Sequence, residues 1–282
     1  MEQVDILIVG GGAAGLSAAK AVKNASVLLV DRRPQLGGIL PQCAHRGFRK
    51  HQNGPECAAE LISALPPHIA VLTDTTVLSV SRDRTAVLSG KAIGRQEVRF
   101  SRLILAAGCR EIPAGALSIG GTRPKGVFTA GDMQARVNLH GQIPEGPVVI
   151  LGGGDIGLIM AKQLAEAGLE VTVVEQRERC GAMAKNRRGL EGLPVRVICG
   201  DTVTELRGER KLTACVTQNG SVLPCGTLLI AVGLKPEREL IAHLGEPEWL
   251  TLCGNCKQVH PTVETVIQEA IRAGKAAAEK TR

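Results

Sequence analysis

The 282-residue sequence predicts an α/β protein made of two doubly wound units on parallel sheets, one inserted into the other. Three observations predict it. A strand, a glycine-rich turn and a helix open the chain, the same pattern returns near Val148, and the core composition is almost purely aliphatic. With three Phe, one Trp and no Tyr, the interior must be built from Val, Ile, Leu and Ala, which suits strands buried on both faces beneath Ala-rich helices. The length exceeds one ordinary domain and falls short of three.

Residues 5–9 are a short apolar run. Gly10, Gly12 and Gly15 follow as GxGxxG, with Ala13 and Ala14 inside the motif, and an Ala-rich helical stretch comes next. Glycines at this spacing permit a tight turn, close backbone approach to a pyrophosphate and close packing of helix on strand. The pyrophosphate then meets free N–H groups at the positive end of the helix dipole. Residues 26–30 form the next strand and end at Asp31, 21 residues after Gly10, where a carboxylate can accept hydrogen bonds from ribose hydroxyls. Arg32 and the pair Gly37–Gly38 follow. Strand, spacing and terminal acid together read as a dinucleotide site.

The second copy starts with the apolar run 148–151 and continues as GGGDIG, with Gly152, Gly154, Asp155, Ile156 and Gly157, followed by a helical run. The next strand, 170–174, ends in Glu175, 23 residues after Gly152. An acid here implies a free ribose 2'-hydroxyl and so NADH over NADPH, although Arg177 and Arg179 stand close enough in sequence to receive a 2'-phosphate.

The formal net charge is +7, but Lys and Arg are scattered and never interleaved with aromatics, so nucleic-acid binding is not expected. No apolar run approaches the ~18 residues of a membrane span. The N-terminus opens into a strand without the features of an exported leader, so a cytoplasmic location is expected. Nine cysteines, an odd number, argue for reduced thiols over a disulfide framework. Only Cys253 and Cys256 form a CxxC, and no second ligand pair completes a zinc site, so no metal is expected.

With both units in place, the chain resembles the flavoproteins with two dinucleotide-binding domains, among them thioredoxin reductase and the pyridine nucleotide-disulfide reductases. The resemblance implies an FAD-binding Rossmann-like domain (1–114 and 239–282) interrupted by an NAD(P)-binding Rossmann-like domain (115–238). It also implies that the first motif and Asp31 hold the ADP half of FAD, and that the second holds the nicotinamide nucleotide. Residues 103–113, with Ala107 and Gly108, then cross toward the inserted domain, and LLIAVG, ending in Gly233, leads back. A narrower likeness lies in GGILPQCAHRGF, RPKGVFTAGDMQARVNLHG and LGGGDIGLIMAKQLAEAG, which resemble the small FAD-dependent subunits that accompany a glycerol-3-phosphate dehydrogenase in anaerobic bacteria. That likeness implies a partner subunit.

The chain departs from this family in two places. Disulfide reductases carry a cysteine pair after the Gly-Gly, whereas only Cys43 lies there; thioredoxin reductases place a CxxC in the nicotinamide domain, and none lies between 122 and 235. The closing FAD motif is Gly-Asp in the family but Gly254–Asn255 here; Asn can still hydrogen-bond a hydroxyl. An AGD at 130–132 competes for this role. The CGN segment is preferred because the helical run 263–280 follows it, with Pro261 in its expected first turn.

Cys43 is either a redox thiol, with His45 supporting a thiolate, or a small side chain lining the flavin pocket. Cys253 and Cys256 form a dithiol, contribute to a shared metal centre, or are coincidental neighbours. His260 caps the last helix or donates to the flavin. The expected function is two-electron transfer between FAD and NAD(H), with the other half-reaction at a partner dehydrogenase subunit or a small organic substrate. The alternatives are a thiol-dependent NADH reductase or peroxidase working through Cys43, and an FAD-bearing scaffold with a vestigial nicotinamide site.

Overall fold

The computed structural model describes residues 2–281. In chain order the elements are β1 (Glu2–Val9), α1 (Ala13–Ala21), β2 (Val27–Val30), α2 (Gly54–Ser63), β3 (Ala70–Leu72), β4 (Thr75–Val80), β5 (Thr85–Gly90), β6 (Gly94–Leu105) and β7 (Cys109–Glu111). There follow β8 (Gly120–Gly121), β9 (Val127–Thr129), α3 (Ala130–His140), β10 (Val148–Leu151), α4 (Asp155–Glu166), β11 (Val171–Glu175), α5 (Ala184–Arg188), β12 (Val195–Cys199) and β13 (Val203–Arg207). The chain ends with β14 (Ala214–Thr217), β15 (Val222–Pro224), β16 (Thr227–Ile230), β17 (Leu234–Pro236), β18 (Leu250–Leu252) and α6 (Val263–Glu279). It divides into two compact units, Met1–Arg110 with Lys235–Arg282, and Glu111–Leu234. Each junction lies four residues ahead of the position expected from the sequence.

In the first unit the sheet runs β3-β2-β1-β6-β5-β4, with β18 also on β6. β1 pairs in parallel with β2 and β6. On its side away from β1 the long β6 serves two neighbours: its start pairs antiparallel with β5, and Leu103–Leu105 pair in parallel with β18. Alternation along β1 sends Ile6 and Ile8 to the helix-covered face and Leu7 to the other, all fully buried. α2 starts cleanly because Asn53 and Glu56 form a reciprocal capping box. α6 buries Val266, Ile267, Ala270, Ala273, Gly274 and Ala277, three or four residues apart, so one stripe faces the core. Gly274 lets α6 lie on α1, since a Cβ there would overlap the Ala18 carbonyl. Helix α6 begins at Val263 with Thr262 as its cap, so Pro261 precedes the helix and is not in its first turn. A Thr hydroxyl can accept an end N–H, which a proline ring cannot.

The inserted unit repeats the plan. Its sheet, β12-β11-β10-β16-β9, pairs in parallel throughout. Val148 and Ile150 face the layer containing α3 and α4, while Val149 and Leu151 face a smaller sheet, β15-β14-β13-β8. Each fully buried aliphatic side chain of this kind stabilises the fold by about 1.5–3 kcal/mol. Strand limits expected from sequence hold to within one residue at β2 and β11 and coincide at β10, whereas β16 ends at Ile230, three residues before the expected Gly233.

Candidate functional site

Each unit carries the same turn, built the same way. Gly10 has φ +106° and its N–H donates to Val30 O (2.8 Å); Gly152 has φ +113° and donates to Val174 O (2.8 Å). The left-handed backbone is why the first glycine is required. A Cβ on Gly15 would overlap the Gly10 carbonyl, and one on Gly157 the Gly152 carbonyl, so the third glycine seats the helix on its strand. The middle glycines differ from both. Gly12 has an ordinary extended backbone, and a Cβ there would meet nothing closer than Gly38 Cα at 3.6 Å. Gly154 is also extended, and a Cβ there would meet nothing within 4 Å. Neither backbone nor packing asks for glycine at these two positions, whereas a ligand lying on the turn does.

The acids close the turns. Asp31 Oδ2 accepts the Gly11 N–H at 2.5 Å and Oδ1 the Arg33 N–H at 2.7 Å. Glu175 Oε2 accepts the Gly153 N–H at 2.6 Å and Oε1 the Arg177 N–H at 3.0 Å. Both carboxylates are largely buried. Helices α1 and α4 start without a side-chain cap, which leaves the positive helix end for an anion. Ala13 and Ala14 open α1, and Asp155 and Ile156 open α4. Asp155 also accepts the Met183 N–H (2.8 Å) and the Asn186 amide (2.6 Å), tying the segment after β11 to the second turn.

Around the first turn, Gly37 and Gly38 both have positive φ, and a Cβ on Gly38 would lie 2.9 Å from Gly12 Cα. The Arg33 guanidinium holds the Gly38 carbonyl, while Arg32 is exposed. Ala107 lies beside Gly10, and the Gly108 carbonyl accepts the Glu237 N–H at 3.0 Å. In the inserted unit, Gly233 has φ +147° and its carbonyl accepts the Ile112 N–H at 3.2 Å.

The CGN segment comes to the first turn. Gly254 has φ +68°, and a Cβ there would approach Ala14 Cβ to 2.7 Å, so this stretch lies on the start of α1. Asn255 Oδ1 accepts the His260 N–H (3.0 Å), which orients the amide so that Nδ2 donates to Cys109 Sγ (3.6 Å). The competing AGD begins α3 in the other unit, where Thr129 caps the Asp132 N–H and Glu111 accepts the Gly131 N–H at 2.8 Å. Its helix end is thus already occupied by two side chains.

Glu269 was not foreseen from the sequence. It accepts Gly254 N–H (2.9 Å), Lys257 Nζ (2.8 Å) and His260 Nε2 (2.9 Å), and so fastens the CGN segment to α6. Burial pushes its carboxyl up, but the bonds from Lys257, His260 and Gly254 outweigh that and hold it below the usual carboxylate range. A lone Glu on the polar side of a helix gives no sequence signal for this.

Cys43 is buried, its Sγ donating to Ile39 O at 3.4 Å, and burial pushes its thiol up to about 12. His45 is half-buried against Phe48, ring centroids 5.0 Å apart. Cys253 and Cys256 are both fully buried free thiols; the Cys256 Sγ donates to Leu105 O at 2.9 Å. Among the described residues no group of three or more His, Cys, Asp or Glu could hold a metal. No helix of the described residues is long and apolar enough to cross a membrane.

Residues 4–249 match the model of the pyridine nucleotide-disulphide oxidoreductase family. The chain belongs to that family. It is therefore an oxidoreductase of the kind that uses FAD and a pyridine nucleotide. It is 30% identical to an opine oxidase subunit of Agrobacterium tumefaciens (strain Ach5) over 186 residues, 61% of this chain and 36% of that one. It is 26% identical to a ferredoxin–NADP reductase of Salinispora tropica over 257 residues, 87% of this chain and 78% of that one. The fold superposes on a thioredoxin reductase of Lactococcus lactis with a TM-score of 0.80 at 19% identity, covering 99% of both chains. The chain spans little more than a third of the opine oxidase subunit's length. Both turns fit the dinucleotides this family uses, since the space over Gly12 and over Gly154 is open and flanked by an uncapped helix end and a buried acid.

Proposed function

We propose that this chain is an FAD-bearing subunit that moves two electrons between NADH and a partner dehydrogenase subunit or a small organic substrate. The observation that carries the reading is the pair of middle glycines. Gly12 and Gly154 are unnecessary to the fold, yet each lies where a dinucleotide backbone would press on the turn. Bound FAD would supply a ring that accepts and releases hydride. Asp31 would hold the adenosine ribose of the flavin, and the α1 terminus its pyrophosphate; Gly254 and Asn255 would face the rest of the cofactor from the start of α1. Glu175 and the α4 terminus would hold the nicotinamide nucleotide in the same way.

NADH is favoured over NADPH because Glu175 presents a buried carboxylate, which bonds a 2'-hydroxyl and repels a 2'-phosphate. The ferredoxin–NADP reductase relative and the exposed Arg177 and Arg179 favour the other coenzyme, so the two must be compared directly. A partner is supported by relatives that are themselves named as components of larger enzymes, namely of opine oxidase, sarcosine oxidase and hydrogen cyanide synthase. The likeness to FAD subunits of glycerol-3-phosphate dehydrogenases makes a polyol-phosphate dehydrogenase the first partner to test. Nine cysteines, none of them in a disulfide among the described residues, suit a reducing cytoplasm. A thiol mechanism at Cys43 is disfavoured by its burial and raised pKa.

Anaerobic titration of the purified protein with NADH, alongside identification of what co-purifies with it, tests the reading. The expected result is bleaching of bound flavin together with recovery of a partner dehydrogenase. Flavin that no coenzyme reduces would support the scaffold instead.

A further inference from the structure

A cavity of about 280 Å³ opens at the amino end of the inserted sheet, just under the ~300 Å³ at which small-ligand pockets begin. Lys125 and Gly126 precede β9, Gly226 and Thr227 stand at the start of β16, and Glu145 comes shortly before β10, so parallel strands start at its rim. The Gly152 turn follows the other end of β10, a strand's length away, roughly 13 Å. The cavity is therefore separate from that turn. Its walls are of two kinds. Phe128, half-buried, and Met133, buried, supply apolar surface, and Ile143 adds more while remaining 56% exposed. Lys125, Arg136 and Lys211 supply positive charge. The Arg136 guanidinium lies over the Phe128 ring, 4.8 Å from its centroid, with Nε donating to Asp132 Oδ2 at 3.0 Å and Nη1 to Gln142 Oε1 at 3.5 Å. A planar cation held in this way keeps its remaining N–H groups in fixed directions, which suits a carboxylate. Lys211 Nζ is paired with Glu145 Oε2 at 2.9 Å. Lys125, exposed and bridged to Lys211 through the backbone, is in no ion pair among the described residues. Two of the three cations are thus met by carboxylates, and one positive charge stands in excess beside aromatic and aliphatic surface.

We infer that this cavity binds a small amphipathic carboxylate, with its apolar body against Phe128, Met133 and Ile143 and its anion held by Lys125 and Arg136. Both halves of such a ligand are matched: apolar surface leaves water on binding, and the acid meets the ammonium that no carboxylate of the protein neutralises. A neutral molecule of the same shape loses the second gain. A short acid loses the first. Because the cavity opens at the amino end of the strands, an occupant leaves Gly153 and Glu175 at the carboxyl end untouched. The site belongs wholly to the inserted unit and does not depend on which coenzyme the Gly152 turn holds.

The test labels the methionine methyl groups of the full-length protein and follows their NMR signals as phenylacetate, its neutral counterpart phenylacetamide, or acetate is added. Met133 lines the cavity, whereas the Met183 N–H is held by Asp155 at the second turn, so the two methyl signals report the two ends separately. Phenylacetate should move Met133 in a saturable way and leave Met183 in place, with phenylacetamide and acetate each binding at least fivefold more weakly. Lys125→Glu and Ile143→Asp, both at exposed positions, should fold as the wild type does and each weaken phenylacetate binding at least fivefold. A Met133 signal unmoved by millimolar phenylacetate would overturn the inference. So would phenylacetamide bound as tightly as the acid, a Met183 shift that tracks the titration, or unaltered binding in either variant.

Discussion

Glu175 accepts the Gly153 N–H at 2.6 Å, repeating within 0.1 Å the bond that Asp31 makes with Gly11 at 2.5 Å. In both units the acid at the end of the second strand fixes the turn at the end of the first, and keeps lone pairs for a ribose hydroxyl. The two turns are thus one device used twice.

If Glu175 selects NADH, Glu175→Ala should narrow the preference between coenzymes. A hydrogen bond to a charged group contributes about 1.5–3 kcal/mol, which predicts a loss on the order of tenfold to a hundredfold in NADH affinity with little change for NADPH. The check is the Kd of each coenzyme for both proteins; equal or better use of NADPH by the wild type would refute the assignment.

Glu269 makes the cofactor-side segment acid-sensitive. Its folded carboxyl is held below the usual range, so its contribution is complete above the ordinary value of about 4.3 and is lost as pH falls through the folded one. Thermal unfolding followed from pH 6 down to pH 3 should show a steeper acid limb in the wild type than in Glu269→Gln. At neutral pH the Gln variant should be less stable by about 1–3 kcal/mol, because Gly254 and Lys257 lose a charged acceptor. Superimposable pH profiles would count against this role.

Cys43 should be slow to alkylate and dispensable for flavin reduction. With its thiol pushed up to about 12, its thiolate is scarcer at pH 7 than that of an ordinary exposed cysteine by on the order of a thousandfold. Its alkylation rate should keep rising with pH toward that value. Cys43→Ser should reduce flavin at the wild-type rate, and the wild type should show no NADH-dependent peroxide or disulfide turnover that the variant lacks.

What the sequence disclosed is what local spacing encodes. Gly10, Gly12, Gly15 and Asp31 lie within one strand-turn-helix-strand unit, so their meeting is dictated by the chain's own geometry, and the second copy repeats it. The grip of Glu269 on Gly254 was hidden because it depends on how α6 packs over α1 at Gly274 and Ala18. The start of α6 was misplaced by local preference: Pro261 suits a first turn, but the Thr262 hydroxyl two residues before Glu264 supplies the cap. The strands of the smaller sheet, β13 to β15, are three to five residues long, too short for alternation to stand out.

The most direct measurement is a comparison of wild type, Gly12→Val and Gly154→Val under anaerobic conditions, following flavin absorbance as NADH is added. A Cβ at either position meets nothing closer than 3.6 Å, so once stripped of flavin all three proteins should unfold within a few degrees of one another. The account predicts a yellow wild type that NADH bleaches, a colourless Gly12→Val, and a yellow Gly154→Val that NADH bleaches at least tenfold more weakly. A Gly154→Val protein reduced as readily as wild type, or a folded wild type that cannot be loaded with FAD, would contradict it.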